Sequence, residues 1–164
     1  MFCDITLMEE NSDTKNFAKL LGYSKIYFKD DIKKFGMQEA KTYSEARNLI
    51  ENKRIKLLLN PHLFGKKDTY STDRIGLDHI MCEAARKNEI AVAFSINKIN
   101  SNIELNWVMK SIKLCRKYKV KIFFFSFASN KYQMIGRIDF LSLLRIMGMT
   151  GNEADYALSL CNFV

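Results

Sequence analysis

Two short apolar runs, IAVAFSI at residues 90–96 and IFFFSFA at residues 122–128, decide the fold class of this 164-residue chain. Neither run alternates apolar with polar residues, so each predicts a strand that is buried on both faces. Each run is seven residues long, whereas a membrane-spanning helix needs about 20 apolar residues. The two runs therefore indicate strands inside a sheet that helices cover on both sides.

The rest of the chain alternates between strand and helix patterns. Between residues 29 and 55 the pattern leaves room for helices only. Gly22 ends the first helix, whose apolar positions are Phe17, Leu20 and Leu21 and whose cap is Ser12 or Asp13. The predicted strands cover residues 2–7, 24–29, 55–60, 90–95 and 122–126, with a possible short last strand at 161–164. The predicted helices after the first cover residues 43–52, 75–87, 104–118, 137–147 and 152–160.

This alternation predicts an α/β fold in which helices surround a parallel sheet. A full eight-stranded TIM barrel takes at least about 200 residues, and this chain has 164. We therefore expect a reduced or partly open TIM-barrel-like parallel barrel with outer helices. The length fits one domain over residues 1–164.

Composition points to a location inside the cell. The chain starts MFCDITLMEENSD, which lacks the basic start and long apolar segment of a secretory signal. The four cysteines are far apart and form no CxxC pair, so reduced thiols in a core are expected rather than a zinc ribbon or a disulfide scaffold. We expect a cytoplasmic protein without a membrane partner.

The positive charge is concentrated in one segment. The chain carries a formal net charge of +8. Residues 98–137 contain nine cations and one carboxylate, so their balance equals that of the whole chain. Lys110, Lys113 and Lys117 recur at helical spacing, opposite the apolar positions of the same helix. Such a stripe can follow a phosphate backbone, although lysines also coat ordinary solvated helices. The candidate RNA contacts of this segment are Lys98, Lys110, Lys113, Lys117, Lys131 and Arg137.

The sequence contains no recognisable catalytic motif. The motifs GxGxxG, GxxxxGK[ST], GxSxG, HxH and HExxH are all missing. His62 and His79 are the only histidines, which is few for a metal-dependent hydrolase. Asp4 is either a catalytic carboxylate or a strand residue satisfied by neighbouring donors. Ser126 and Ala128, at a strand end, either line a functional face or form the turn that ends the strand.

Three stretches nevertheless resemble a known family. They are IGLDHIMCEAARKNEIAVAFSI at residues 75–96, LCRKYKVKIFFFSFASNKYQ at 114–133 and DFLSLLRIMGMTGNEADYALS at 139–159. Their order and spacing are similar to those of ribonuclease P protein component 3 of archaea and eukaryotes. The resemblance extends over about residues 59–159, and MFCDIT looks like the family's first strand with its aspartate at Asp4. The chain is therefore identified as a shortened member of this family.

The resemblance implies a TIM-barrel-like subunit related to the PHP phosphoesterases but without their metal cluster. It implies that the enzyme's RNA carries catalysis, that the protein has no active site of its own and that magnesium belongs to the RNA partner. The implied partners are ribonuclease P RNA and a small ferredoxin-like protein subunit, and the resemblance implies that this chain and the small subunit form a heterotetramer. Precursor tRNA, from which the enzyme removes the 5′ leader, is implied as an indirect partner.

The resemblance also assigns further RNA-contact candidates. The family's basic loop position falls on Lys66 or Lys67, its histidine on His79 and the basic end of the same helix on Lys87. A basic residue that the family carries before its Asp-Leu helix is replaced here by Ile135. The charge stands instead at Arg137.

Two other functions remain open from the sequence. A metal-dependent phosphoesterase of the related barrel class would need Asp4, His62, His79 and Asp139 to converge on one metal. A general basic RNA-binding scaffold would show no preference among RNAs.

Overall fold

The computed structural model describes residues 1–64 and 76–159. The strands are β1 (Cys3–Ile5), β2 (Lys25–Tyr27), β3 (Met37–Glu39), β4 (Leu57–Leu59), β5 (Ala91–Ser95) and β6 (Ile122–Phe125). The helices are α1 (Ser12–Leu20), α2 (Lys29–Ile32), α3 (Tyr43–Glu51), α4 (His79–Lys87), α5 (Asn102–Tyr118), α6 (Arg137–Ile146) and α7 (Gly151–Ala157). The predicted last strand at residues 161–164 lies outside the described residues.

The strands form two sheets. β1 pairs in parallel with β2, and the second sheet has the order β3-β4-β5-β6 with parallel β3–β4 and β4–β5 pairs. In the register of the second sheet, Leu58 lies between Gln38 and Val92. Among the described residues the strands form no single closed ring. The prediction of a parallel, partly open TIM-barrel-like fold is confirmed.

The described residues divide into two compact units. The first unit contains Met1–Phe35, Ser95–Asn97 and the chain from Phe123 onward, and the second contains Gly36–Phe94 and Lys98–Ile122. In the first unit, a parallel bridge pairs Thr6 with Ala128, so the segment after β6 runs beside the end of β1.

The two apolar runs fill the core as expected. Every residue of β5 and β6 is buried, and Phe94 and Phe124 have no exposed surface. Burying a phenylalanine side chain contributes roughly 1.5–3 kcal/mol. The strands that decide the fold class therefore also supply much of its hydrophobic stabilisation.

Four local predictions were wrong. Asn11 caps α1, because its side-chain oxygen accepts the Thr14 N–H at 2.6 Å. Leu20, one of the predicted apolar positions of α1, is 84% exposed. α4 begins at His79, because the Asp78 side chain accepts the Met81 N–H at 2.7 Å and caps the helix there. Finally, β3 is a strand in a segment where only helices were expected.

No helix within residues 1–64 and 76–159 has the length and apolar character needed to cross a membrane.

Candidate nucleic-acid interface

Helix α5 carries the strongest candidate surface for nucleic acid. The Ser101 hydroxyl accepts the Glu104 N–H at 3.2 Å, and the Glu104 carboxylate accepts the Asn100 N–H at 2.6 Å. The first bond caps the N-terminus of the helix, and the second holds Glu104 against the residue that precedes the cap. Val108 and Ile112 face the core. The start of the helix and its apolar face together fix which side chains point to solvent.

Lys110, Lys113 and Lys117, which we call the α5 stripe, are all exposed. Within residues 1–64 and 76–159 none of the three forms an ion pair, and the Lys117 ammonium lies 5.5 Å from the Tyr118 ring centroid. Glu104 is the helix's acidic residue, and it is 5% exposed and engaged in the N-terminal cap. The positive potential along the stripe is therefore not neutralised by its own helix.

Two further candidates lie on α4, which packs against α5 in the second unit. His79 is the first residue of α4 and is exposed. The preceding Asp78 also accepts a hydrogen bond from the Tyr43 hydroxyl, which fixes the start of α4 against α3. Lys87 ends α4 and is exposed. With Arg86, which is also exposed, the last turn of α4 presents two cations.

Three predicted cations already have partners in the protein. Lys98 pairs with Glu39 at 2.6 Å, and Lys131 pairs with Asp13 at 2.8 Å. The Asp13 carboxylate raises the pKa of Lys131. The Arg137 guanidinium stacks on Phe2, 3.6 Å from the ring centroid. RNA contact by Lys98 and Lys131 would compete with a carboxylate, whereas the α5 stripe has no ion pair to give up within residues 1–64 and 76–159.

The predicted set is divided between the two units. Lys131 and Arg137 belong to the first unit, and Lys87, Lys98 and the α5 stripe belong to the second with His79. Lys66 and Lys67 lie outside the described residues. The RNA contacts assigned to all ten residues remain predictions.

Asp4 is a buried strand residue satisfied by neighbouring donors. Its carboxylate accepts hydrogen bonds from the Ser126 N–H at 2.7 Å and from the Ser126 hydroxyl at 2.6 Å. It also accepts the N–H of Ile5, the next residue, at 2.9 Å. Burial raises the pKa of Asp4 to about 6, although the Ser126 hydrogen bonds lower it. Ser126 and Ala128 are fully buried, and the Ser126 hydroxyl accepts the Ala128 N–H at 3.2 Å.

The phosphoesterase alternative finds no ligand set in the part of the chain that the structure describes. There, no three histidine, cysteine or acidic side chains come together as a metal site would require. Asp4 and Asp139 belong to the first unit, and His62 and His79 belong to the second. The structure does not group the four side chains that the metal-dependent mechanism needs.

Sequence reasoning missed a cavity in the first unit. It has a volume of about 440 Å³, and it is lined by both lysines and aromatic side chains. We call it the basic–aromatic cavity; its lining includes Lys19, Lys25, Tyr23, Tyr27 and Phe28. The signal in the sequence was the stretch SKIYFK, in which Lys25 and Tyr27 are two residues apart and share one side of a strand.

The fold and the basic helix define a class: a partly open, TIM-barrel-like α/β protein with a cationic outer face. No family model matches the chain. The chain is 32% identical to ribonuclease P protein component 3 of Thermococcus gammatolerans over 119 residues, which are 69% of this chain and 52% of the relative.

Two more curated relatives carry the same name. The protein of Thermococcus kodakarensis is 31% identical over 58% of this chain and 44% of its own length. That of Methanococcoides burtonii is 25% identical over 69% of this chain and 46% of its own length. The chain spans about half the length of these relatives, and all three are named as the family that the sequence resembles.

A solved structure supports the fold independently. A chain in the cryo-EM structure of archaeal ribonuclease P with mature tRNA superposes with a TM-score of 0.67 at 20% identity. The match covers 98% of this chain and 80% of that chain. At this identity the match shows the fold alone.

Proposed function

We propose that this protein is a non-catalytic subunit of ribonuclease P that supports the catalytic RNA in removing the 5′ leader from precursor tRNA. The proposal is supported by distant relatives that carry the name ribonuclease P protein component 3. The observation that carries it is the α5 stripe, whose three exposed lysines have no ion pair within residues 1–64 and 76–159. Such a surface positions a phosphate backbone and reads little sequence by itself.

The proposed assembly contains other members. A small ferredoxin-like protein subunit pairs with this chain in a heterotetramer, and precursor tRNA is met through the RNA. Ile138 and Ile146 of α6 are 75% and 77% exposed, so they are candidate contacts for that protein partner. Magnesium is held by the RNA, and the assembly works in the cytoplasm.

The test is the salt dependence of binding to ribonuclease P RNA. Each phosphate neutralised on double-stranded nucleic acid adds about 0.9 to the slope of log affinity against log salt. Replacing the three lysines of the α5 stripe by alanine removes three such contacts, so the slope falls by about 2.7. Between 50 and 200 mM salt those contacts account for a loss of roughly 40-fold in affinity.

The matched control removes three exposed lysines elsewhere, Lys29, Lys33 and Lys41. We expect this control to keep most of the slope, because the control lysines do not share one helix face. Equal slopes for the two triple variants would show that the α5 stripe has no special role. Equal competition by ribonuclease P RNA and by an unrelated RNA of similar length would instead favour the general basic scaffold.

A further inference from the structure

The basic–aromatic cavity of the first unit combines lysine and aromatic side chains in its lining. Its volume of about 440 Å³ falls within the range of about 300–1,000 Å³ typical of small-molecule sites. Buried Tyr23, Phe28 and Ala18 contribute apolar surface to it. The Tyr23 hydroxyl donates to the Ile135 carbonyl at 2.8 Å, which holds that side chain in place. The lining therefore contains a fixed apolar part.

Tyr27 adds an aromatic ring whose plane is fixed. The ring is half-buried and packs edge to face against Phe35, with centroids 4.7 Å apart and an interplanar angle of 83°. The Lys25 ammonium lies 4.6 Å from the Tyr27 centroid. Lys25 is exposed and its side chain can rotate away, so a base could stack on Tyr27 while the ammonium meets the attached phosphate.

Two of the lysines that line the cavity are available to bind an anion. The two lining carboxylates are engaged: Glu10 pairs with Lys15, and Asp31 pairs with Lys34 at 2.7 Å. Lys34 lowers the pKa of Asp31, which keeps that carboxylate ionised and paired. Among the described residues, Lys19 and Lys25 form no ion pair, and both are exposed.

We propose that the basic–aromatic cavity binds one nucleotide of single-stranded RNA, with the base on Tyr27 and the phosphate between Lys19 and Lys25. This inference rests on the proposed RNA-bound function but concerns a different surface from the α5 stripe. An acidic peptide would use the two lysines and gain little from the aromatic ring. The presence of both features in one cavity favours a nucleotide.

The test measures binding of a fluorescent five-nucleotide uridine oligomer to the full chain at several salt concentrations. The double variant K19E/K25E is compared with K29E/K33E, which reverses two exposed charges that do not line the cavity. Each phosphate contact on a single strand adds about 0.7 to the salt slope. Both lysines contact the same phosphate, so we expect K19E/K25E to weaken binding at least tenfold and to lower the salt slope by about 0.7. We expect K29E/K33E to change the affinity and the slope by much less.

Variants of Tyr27 separate stacking from charge. Tyr27→Phe keeps an aromatic face, and Tyr27→Leu removes it. Loss of one stacked base corresponds to roughly 5- to 150-fold weaker binding. We expect the phenylalanine variant to bind like the original protein and the leucine variant to bind more weakly. Equal binding by both would refute the stacking.

Other outcomes decide the remaining points. If uridine monophosphate binds as tightly as the oligomer, the cavity takes free nucleotides and the assignment to an RNA strand is wrong. If K19E/K25E binds the oligomer normally, the cavity has no role even where the α5 stripe variant fails to bind ribonuclease P RNA. If the unmodified protein binds the oligomer at this cavity but shows no affinity for ribonuclease P RNA, the proposed function fails and the cavity assignment stands.

Discussion

The buried carboxylate of Asp4 makes the stability of the fold depend on pH in a defined direction. Burial raises its pKa from 3.8 to about 6 in the folded protein. The folded state therefore binds the proton more tightly than the unfolded state does. The contribution of Asp4 to the unfolding free energy is therefore greatest below about pH 4. It falls as pH rises from about 4 to about 6 and is level above that.

The size of the effect follows from the difference between the two pKa values. A difference of about two pH units in pKa corresponds to about 3 kcal/mol of unfolding free energy, taken as an order of magnitude. The asparagine side chain of the Asp4→Asn variant cannot ionise, so this variant lacks the pH-dependent contribution of Asp4 to the unfolding free energy. We expect the unfolding free energy of the original protein, minus that of Asp4→Asn, to fall by about 3 kcal/mol between pH 3.5 and pH 7.

The assay is urea unfolding of both proteins at half-unit pH steps. Other titrating groups contribute equally to both proteins and cancel in the difference. Ser126→Ala serves as a second variant, because the Ser126 hydroxyl donates to Asp4 at 2.6 Å and lowers its pKa. Its removal should move the transition to higher pH. A difference that stays constant from pH 3.5 to pH 7 would refute the reasoning.

Three stability effects follow from other contacts. Asn11→Ala removes the cap acceptor of α1 and should lower the unfolding free energy by about 1 kcal/mol, measured in urea. Phe124→Ala leaves a cavity at a fully buried position and should cost about 3–5 kcal/mol, which calorimetry would show as a lower melting temperature. Arg137→Ala loses the stacking on Phe2 and should cost about 1 kcal/mol. If Arg137→Lys costs nothing, the planar stacking does not contribute.

The sequence predicted the parts of the fold that depend on burial. β5 and β6 are apolar on both faces, so their patterns admit one interpretation, and α5 follows a strong helical period. β3 was missed because its three residues, MQE, are half-buried or exposed and lie at the edge of the sheet. Leu20 was predicted by spacing alone to lie on the apolar side of α1, although it ends the helix in solvent.

The candidate site was predictable only in part, because some of its side chains are paired with residues far away in the sequence. The exposure of the α5 stripe follows from helical spacing, and the structure shows it. The ion pair of Lys98 with Glu39 joins residues 59 positions apart, and that of Lys131 with Asp13 joins residues 118 apart. Local patterns carry no information about such long-range pairs. The basic–aromatic cavity likewise combines α1 with β2 and the start of α2.

The most direct test measures cleavage of precursor tRNA by the RNA and protein separately and together. The purified protein, ribonuclease P RNA from the same source and the small protein partner are assayed alone and combined. We expect no cleavage by the proteins without RNA, and faster cleavage by the complete mixture than by RNA alone at the same magnesium concentration. Removal of the 5′ leader by the protein without RNA, or an unchanged rate on adding the protein, would contradict the proposed role.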